Sequence, residues 1–212
     1  MKIALIGASG FIGAALLKEA LARGHHVTAL VTRPERIAPQ ENLISVKSDA
    51  LNTEALAQQL SGADAVISAF SGHAQENVFG YYLKGFRSIL SATQQASVPR
   101  LLVVGGAATL EVAPGKQLLD TPEFPSEYRA TAEGAQAALE ILRAQTAQEW
   151  TFLSPAAEIF PGERTGNFRL GGDMLLTDSE GNSRISVQDY AVAMLDELES
   201  PRHPNQRFSV AY

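Results

Sequence analysis

The chain of 212 residues carries 23 acidic against 17 basic side chains, and a formal net charge of −6 disfavours broad nucleic-acid binding, which needs a basic face to neutralise phosphates. It contains no cysteine, which excludes disulfides, a thiolate nucleophile and a cysteine-ligated metal in one step. With 45% hydrophobic and 19% charged residues it reads as one globular domain with a full core, and no apolar run approaches the length that spans a bilayer.

The first element is the short apolar run Lys2 to Ile6, bounded by glycine and followed by a helical period, as expected of a buried parallel strand. No leader precedes it, so the protein is expected to stay in the cytoplasm. The strand feeds Gly7-Ala8-Ser9-Gly10-Phe11-Ile12-Gly13. Gly7 permits a tight strand-to-helix turn, Gly10 lets backbone approach a pyrophosphate, and Gly13 allows the helix to pack close to its strand. The amides that open the helix would then face the anion. The spacing is offset from the usual dinucleotide fingerprint, and the order of strand, turn and helix is what gives it weight.

These residues, together with Val31-Thr32-Arg33-Pro34, the Gly105-Gly106-Ala107 turn, Ser154-Pro155 and the tail from Pro161-Gly162-Glu163-Arg164-Thr165-Gly166 to Arg207-Phe208-Ser209-Val210, carry a resemblance. The chain resembles the atypical short-chain dehydrogenase/reductases, and among them the NmrA-like and NAD(P)H-flavin reductase group that includes biliverdin reductase B. The similarity runs nearly end to end. It implies a Rossmann-type fold and a nicotinamide cofactor.

The helix from Phe11 to Arg23 stops at Gly24, and His25 to Val31 reads as the second strand, with His25 and His26 in structural roles. In dinucleotide folds an acid beyond this strand holds the ribose of NAD, whereas arginine accommodates the extra phosphate of NADP. Here stand Thr32, Arg33 and Arg36, with Glu35 the only acid close by. Arg33 donates in a planar fork suited to phosphate, so NADP(H) is expected over NAD(H), the alternative being a solvated surface arginine. Leu43 to Lys47 is the third strand. Asp49 after it is either a turn or cap residue or, as the resemblance implies, a contact to the adenine beside Ala50.

Ala63 to Phe70 is the fourth strand, and ligands in open α/β sheets bind beyond such carboxyl ends, so Ala69, Phe70 and Ser71 should lie along the cofactor. His73 reads as a loop residue more readily than as an acid. From Asn77 to Ala96 a helical stripe of Leu83, Phe86, Ile89, Leu90 and Thr93 is expected to pack on the sheet, leaving Tyr81, Tyr82, Lys84 and Arg87 on other faces. The fifth strand, Arg100 to Val104, ends in Gly105 and Gly106, read as backbone pressed against the nicotinamide half. Thr109 is the nearest hydroxyl where the wider dehydrogenase family places a catalytic serine or threonine. Val112 to Ser126 is expected to be an irregular loop serving as a substrate lid.

The helix from about Glu127 to Ala144 opens with Tyr128, which invites comparison with the family's catalytic Tyr-x-x-x-Lys. The lysine is absent, because Ala132 occupies its place. Without that cation to lower the phenol's pKa and hold the ribose, Tyr128 is a weak catalytic candidate and reads also as an aromatic packing at a helix start. Thr109 is a weak candidate too, since the glycines before it argue for backbone against the nicotinamide. Trp150 to Leu153 is the sixth strand, and at its exit the resemblance places Ser154 and Pro155 against the nicotinamide and substrate. Residues 155–186 form a substrate-side elaboration with short strands near Phe168 to Leu170 and Arg184 to Ser186. A helix from Val187 to Leu198 and a seventh strand, Phe208 to Val210, complete the domain.

The expected fold is therefore a single α/β domain, a doubly wound Rossmann-type parallel sheet in the order 3-2-1-4-5-6-7, with a small C-terminal elaboration. No metal site is expected. The reaction that asks least of such a protein is hydride transfer from NADPH to a small-molecule acceptor that holds electrons itself, a quinone or a flavin such as FMN or FAD. The alternative is a non-catalytic NADP(H) sensor of the NmrA type that signals through a partner protein. An isomerase acting on a sugar nucleotide is disfavoured by the same missing lysine and the short C-terminal region.

Overall fold

The computed structural model describes residues 1–73 and 75–212. In chain order the elements are β1 (Lys2–Ile6), α1 (Phe11–Ala22), β2 (His26–Val31), β3 (Leu43–Lys47), α2 (Thr53–Leu60), β4 (Ala65–Ser68), α3 (Val78–Gln95), β5 (Arg100–Val104), β6 (Glu111–Ala113), β7 (Lys116–Gln117), α4 (Arg129–Ala144), β8 (Glu149–Ser154), β9 (Glu158–Phe160), β10 (Arg169–Gly171), β11 (Arg184–Ser186), α5 (Val187–Glu199) and β12 (Gln206–Ala211).

The main sheet runs β10-β12-β8-β5-β4-β1-β2-β3. Its seven inner and leading strands are parallel and follow the expected order, while β10 adds an antiparallel strand at the edge beside β12. The two faces follow from the period-2 alternation of strand side chains. In β1, Ile3 and Leu5 point into a core shared with α1 and α5, where Leu16, Tyr190, Met194 and Phe208 are buried. Ala4 and Ile6 point into the opposite core, made with α2, α3 and α4 around Leu56, Phe86, Leu139 and Phe152. Burying both faces explains why the strands read as continuous apolar runs.

Three local expectations change. Tyr82 leaves the solvent side of α3 and packs on the second core through Phe86, with ring centroids 6.3 Å apart. Residues 112–126 are less irregular than read: β6 and β7 form a small antiparallel hairpin around Pro114 and Gly115, the glycine at φ +72°, followed by two single-turn 3₁₀ segments. The 3₁₀ turn Ser126–Tyr128 takes over the start expected of the fourth long helix, so Tyr128 is its N-cap, and 56% exposed instead of packed. Beyond β8, β9 and β11 pair with each other and stay apart from the main sheet.

Candidate functional site

The site begins where β1 hands over to α1. Gly7 adopts φ +81°, its amide donates to the Leu30 carbonyl at 3.0 Å, and a Cβ there would stand 2.5 Å from the Ala69 oxygen. A Cβ on Gly13 would come within 2.0 Å of the Gly7 oxygen, so only glycine lets the helix close on the turn. Gly10 differs. Its φ of −78° and ψ of 172° suit any residue, and a Cβ would meet only the Gly7 oxygen, at 3.4 Å. The fold itself therefore does not require glycine at 10, and space stands open beside it.

Gly10 is the N-cap of α1, and no side chain caps that end. The first α-helical bond runs from the Ala14 amide to the Gly10 carbonyl at 2.8 Å, which leaves the amides of Phe11, Ile12 and Gly13 without intrahelical acceptors. No acidic side chain occupies the first turn. Three amides and the positive end of the helix dipole thus converge on one open place, an arrangement made for an anion.

From there a cavity of about 630 Å³ extends across the carboxyl ends of β4 and β5. Ala69, Phe70 and Ser71 line it at the exit of β4, and Gly105 and Gly106 at the exit of β5. Its far wall is aromatic. Phe70 stacks with Tyr81 and Tyr82 at centroid distances of 5.5 and 6.0 Å, and burial among these rings pushes the Tyr82 phenol well above its ordinary pKa. Tyr128, Ala132 and Phe124 close the outer side, and His73 Nδ1 lies 3.2 Å from Thr131 Oγ1 at the rim.

The expected lid is anchored. Leu118 and Leu119 amides donate to the Leu110 and Ala108 carbonyls at 2.9 and 2.8 Å, and Leu118, Thr121, Glu123, Phe124 and Pro125 line the cavity. Of the elaboration 155–186, Ala157 and Ile159 reach the cavity wall.

Several residues read as site candidates stand elsewhere. Thr109 is buried outside the lining, its hydroxyl accepting from Arg207 Nη1 at 3.0 Å, so it ties the turn after β5 to β12. Glycine at 105 has a packing reason, since a Cβ would meet the Phe152 ring at 2.2 Å. Asp49 is exposed and accepts from the Leu51 amide at 2.9 Å, the turn contact of the two readings, while Ala50 packs against the second core. Ser154 and Pro155 are buried behind the lining; the Ser154 hydroxyl is, among the described residues, the one buried side-chain polar atom without a partner. Thr32 and Arg33 are exposed past the end of β2.

On the other side of the glycine turn a second hollow, of about 560 Å³, is lined by Ser9, Ala14, Lys18, Arg36 and Gln40 among others. Lys18 and Gln40 escape a motif reading. Lys18 follows Ala14 by one helical turn, the spacing that puts both on one face, and that was the available signal.

A family model described as NAD(P)H-binding matches residues 7–198. The chain belongs to the NAD(P)H-binding family. The uncharacterized protein YwnB of Bacillus subtilis is 44% identical over 214 residues, 99% of this chain and 98% of that protein. A candidate epimerase from Bacteroides thetaiotaomicron superposes with a TM-score of 0.94 at 44% identity, covering 100% of this chain and 96% of the other. A candidate NADH-flavin reductase from Streptococcus pneumoniae superposes at 0.86 with 37% identity, covering 100% and 99%. The atypical short-chain dehydrogenase/reductase resemblance stands with them. The geometry fits the family's nicotinamide cofactor: the amides of Phe11 to Gly13 would hold the pyrophosphate, and the space kept clear at Gly10 admits it.

Proposed function

We propose that this protein is an NADPH-dependent reductase that delivers hydride to a small planar electron acceptor of the flavin or quinone kind. The observation that carries the reading is the aromatic-walled cavity continuous with the glycine turn, so that acceptor and cofactor share one chamber. When bound, the nicotinamide supplies the hydride. The chain's own residues bind and orient. The first amides of α1 fix the phosphates, Phe70 and Tyr82 line the wall where the acceptor would lie, and the anchored segment 118–125 shields the chamber from water.

Preference for NADP(H) is supported by the second hollow, where Ser9, Lys18 and Arg36 offer a hydroxyl and two cations beside the turn, with Arg33 close in sequence. Tyr128 reaches the chamber, but Ala132 one turn later gives its phenol no cation. A proton for a reduced flavin or quinone can come from water.

Consumption of NADPH with riboflavin, FMN or menadione tests the proposal, and steady turnover with one of them is the expected result. Binding of NADPH without turnover would favour the sensor reading, which the exposed Tyr128 and the absent lysine also suit.

A further inference from the structure

The charge of the chamber narrows its occupant. Outside the amides assigned to the cofactor, its lining among the described residues holds one carboxylate, Glu123, and one imidazole, His73, with the phenols of Tyr82 and Tyr128 and the hydroxyls of Ser71, Thr121 and Thr131; among those residues it holds no lysine or arginine. The cations on the elements that wall it are turned elsewhere. Arg129, at the start of α4, lies 5.9 Å from the Phe124 ring centre and donates to the Leu119 carbonyl at 3.4 Å without entering the lining. Arg143 on the same helix pairs with Asp173 at 3.2 Å. Lys84 and Arg87 of α3 and Lys116 of the β6–β7 turn are exposed outside the chamber.

An acceptor carrying a phosphate or carboxylates would find no lysine or arginine among the described lining residues, only the His73 imidazole at the rim, and would meet the exposed Glu123 carboxylate at the mouth. An unpaired anion taken out of water is costly, and like charges brought together add to the cost. A neutral ring loses nothing of the kind.

We infer that the acceptor site selects a neutral planar ring, such as riboflavin or an uncharged quinone, over the same ring bearing an anionic tail. For turnover this rests on the reductase reading; for binding it does not. Riboflavin and FMN make the test clean, since they share the accepting ring and differ by one phosphate. With the protein saturated with NADP⁺, quenching of flavin fluorescence is expected to give riboflavin about tenfold or more tighter binding than FMN. The specificity constants of NADPH oxidation should order the same way. Glu123→Lys, at an exposed position, should raise FMN affinity and bring the ratio within about threefold. Equal or tighter binding of FMN overturns the inference, as does an unchanged ratio in Glu123→Lys or the binding of neither riboflavin nor menadione. If riboflavin binds preferentially while no acceptor supports NADPH consumption, the reductase reading fails and the selectivity stands.

Discussion

Arg36 and Arg33 divide a question that the sequence poses as one. Both follow the strand where an acid would serve NAD, yet only Arg36 lines the hollow with Ser9 and Lys18. A charge-assisted contact to phosphate is worth about 1.5 to 3 kcal/mol, so losing it should lower the ratio of NADPH to NADH affinity by roughly ten- to a hundredfold. Arg36→Ala is expected to show that drop, and Arg33→Ala a smaller one. If titrations leave the ratio unchanged in both variants, the preference for NADP(H) is wrongly assigned. Tyr128 poses the converse case, a conspicuous side chain expected to matter little. Because Ala132 supplies no cation, Tyr128→Phe should keep turnover within about tenfold, under roughly 1.4 kcal/mol of barrier. A loss on the order of a hundredfold, the scale of general acid catalysis, would show that the phenol donates its proton.

Elements are held to one another by buried carboxylates that motif reading passes over. Glu19 of α1 takes Arg164 at 2.7 Å and Arg23 at 2.8 Å, tying the loop after β9 back to the first helix. Asp189 of α5, fully buried, accepts from the Thr165 and Gly166 amides at 2.8 Å each and from the Tyr212 hydroxyl at 2.8 Å. The hydrogen bond from Arg164 is the main cause holding the Glu19 carboxyl below its ordinary value of 4.5, with Arg23 adding to it and burial opposing. A folded pKa below the unfolded one means that Glu19 stabilises the fold fully above the unfolded value and loses that contribution as pH falls through the folded value. Glu19→Gln should therefore cost about 1 kcal/mol near neutral pH, a modest figure because Arg164 is half exposed. The gap between variant and parent urea midpoints should shrink at about pH 3. A gap that persists there would assign the loss to packing.

The same elements show what could be read beforehand. Strands buried on both faces and helices with a three-to-four-residue stripe announce themselves in local periodicity, and the order of the parallel strands followed from short right-handed connections. The hairpin within 112–126 reads as irregular loop in the sequence, because the strands flanking Pro114-Gly115 are three and two residues long, too short to show alternation. Tyr82 was misplaced because, besides Phe86 of its own helix, it packs against Phe70 from the loop after β4 and Gly134 of α4, neither of them local in sequence. Thr109 looked catalytic by position, and its partner Arg207 stands 98 residues on, beyond any local pattern. Distant pairings of this kind decide which of two similar residues faces the chamber.

At the scale of the molecule, one sheet of eight strands with a core on each face joins the glycine turn to everything else. Such a domain should unfold as a unit, so a ligand held at the start of α1 stabilises the whole chain. At a concentration of about 100 times its dissociation constant, NADPH should add about 2.7 kcal/mol. For a domain of this size that corresponds to a rise in Tm of roughly 5 to 10 °C. NADH at the same concentration, if bound about tenfold more weakly, should add about 1.4 kcal/mol and shift Tm about half as far. Gly10→Val separates fold from ligand in this assay. The backbone at 10 is extended and the new Cβ meets only the Gly7 oxygen at 3.4 Å, so the variant should melt within about 2 °C of the parent without nucleotide. Its branched side chain would fill the place in front of the Phe11 to Gly13 amides, and the NADPH-dependent rise should disappear. A Gly10→Val protein that melts normally and still gains the full shift would place the phosphates elsewhere and remove the glycine turn from the site.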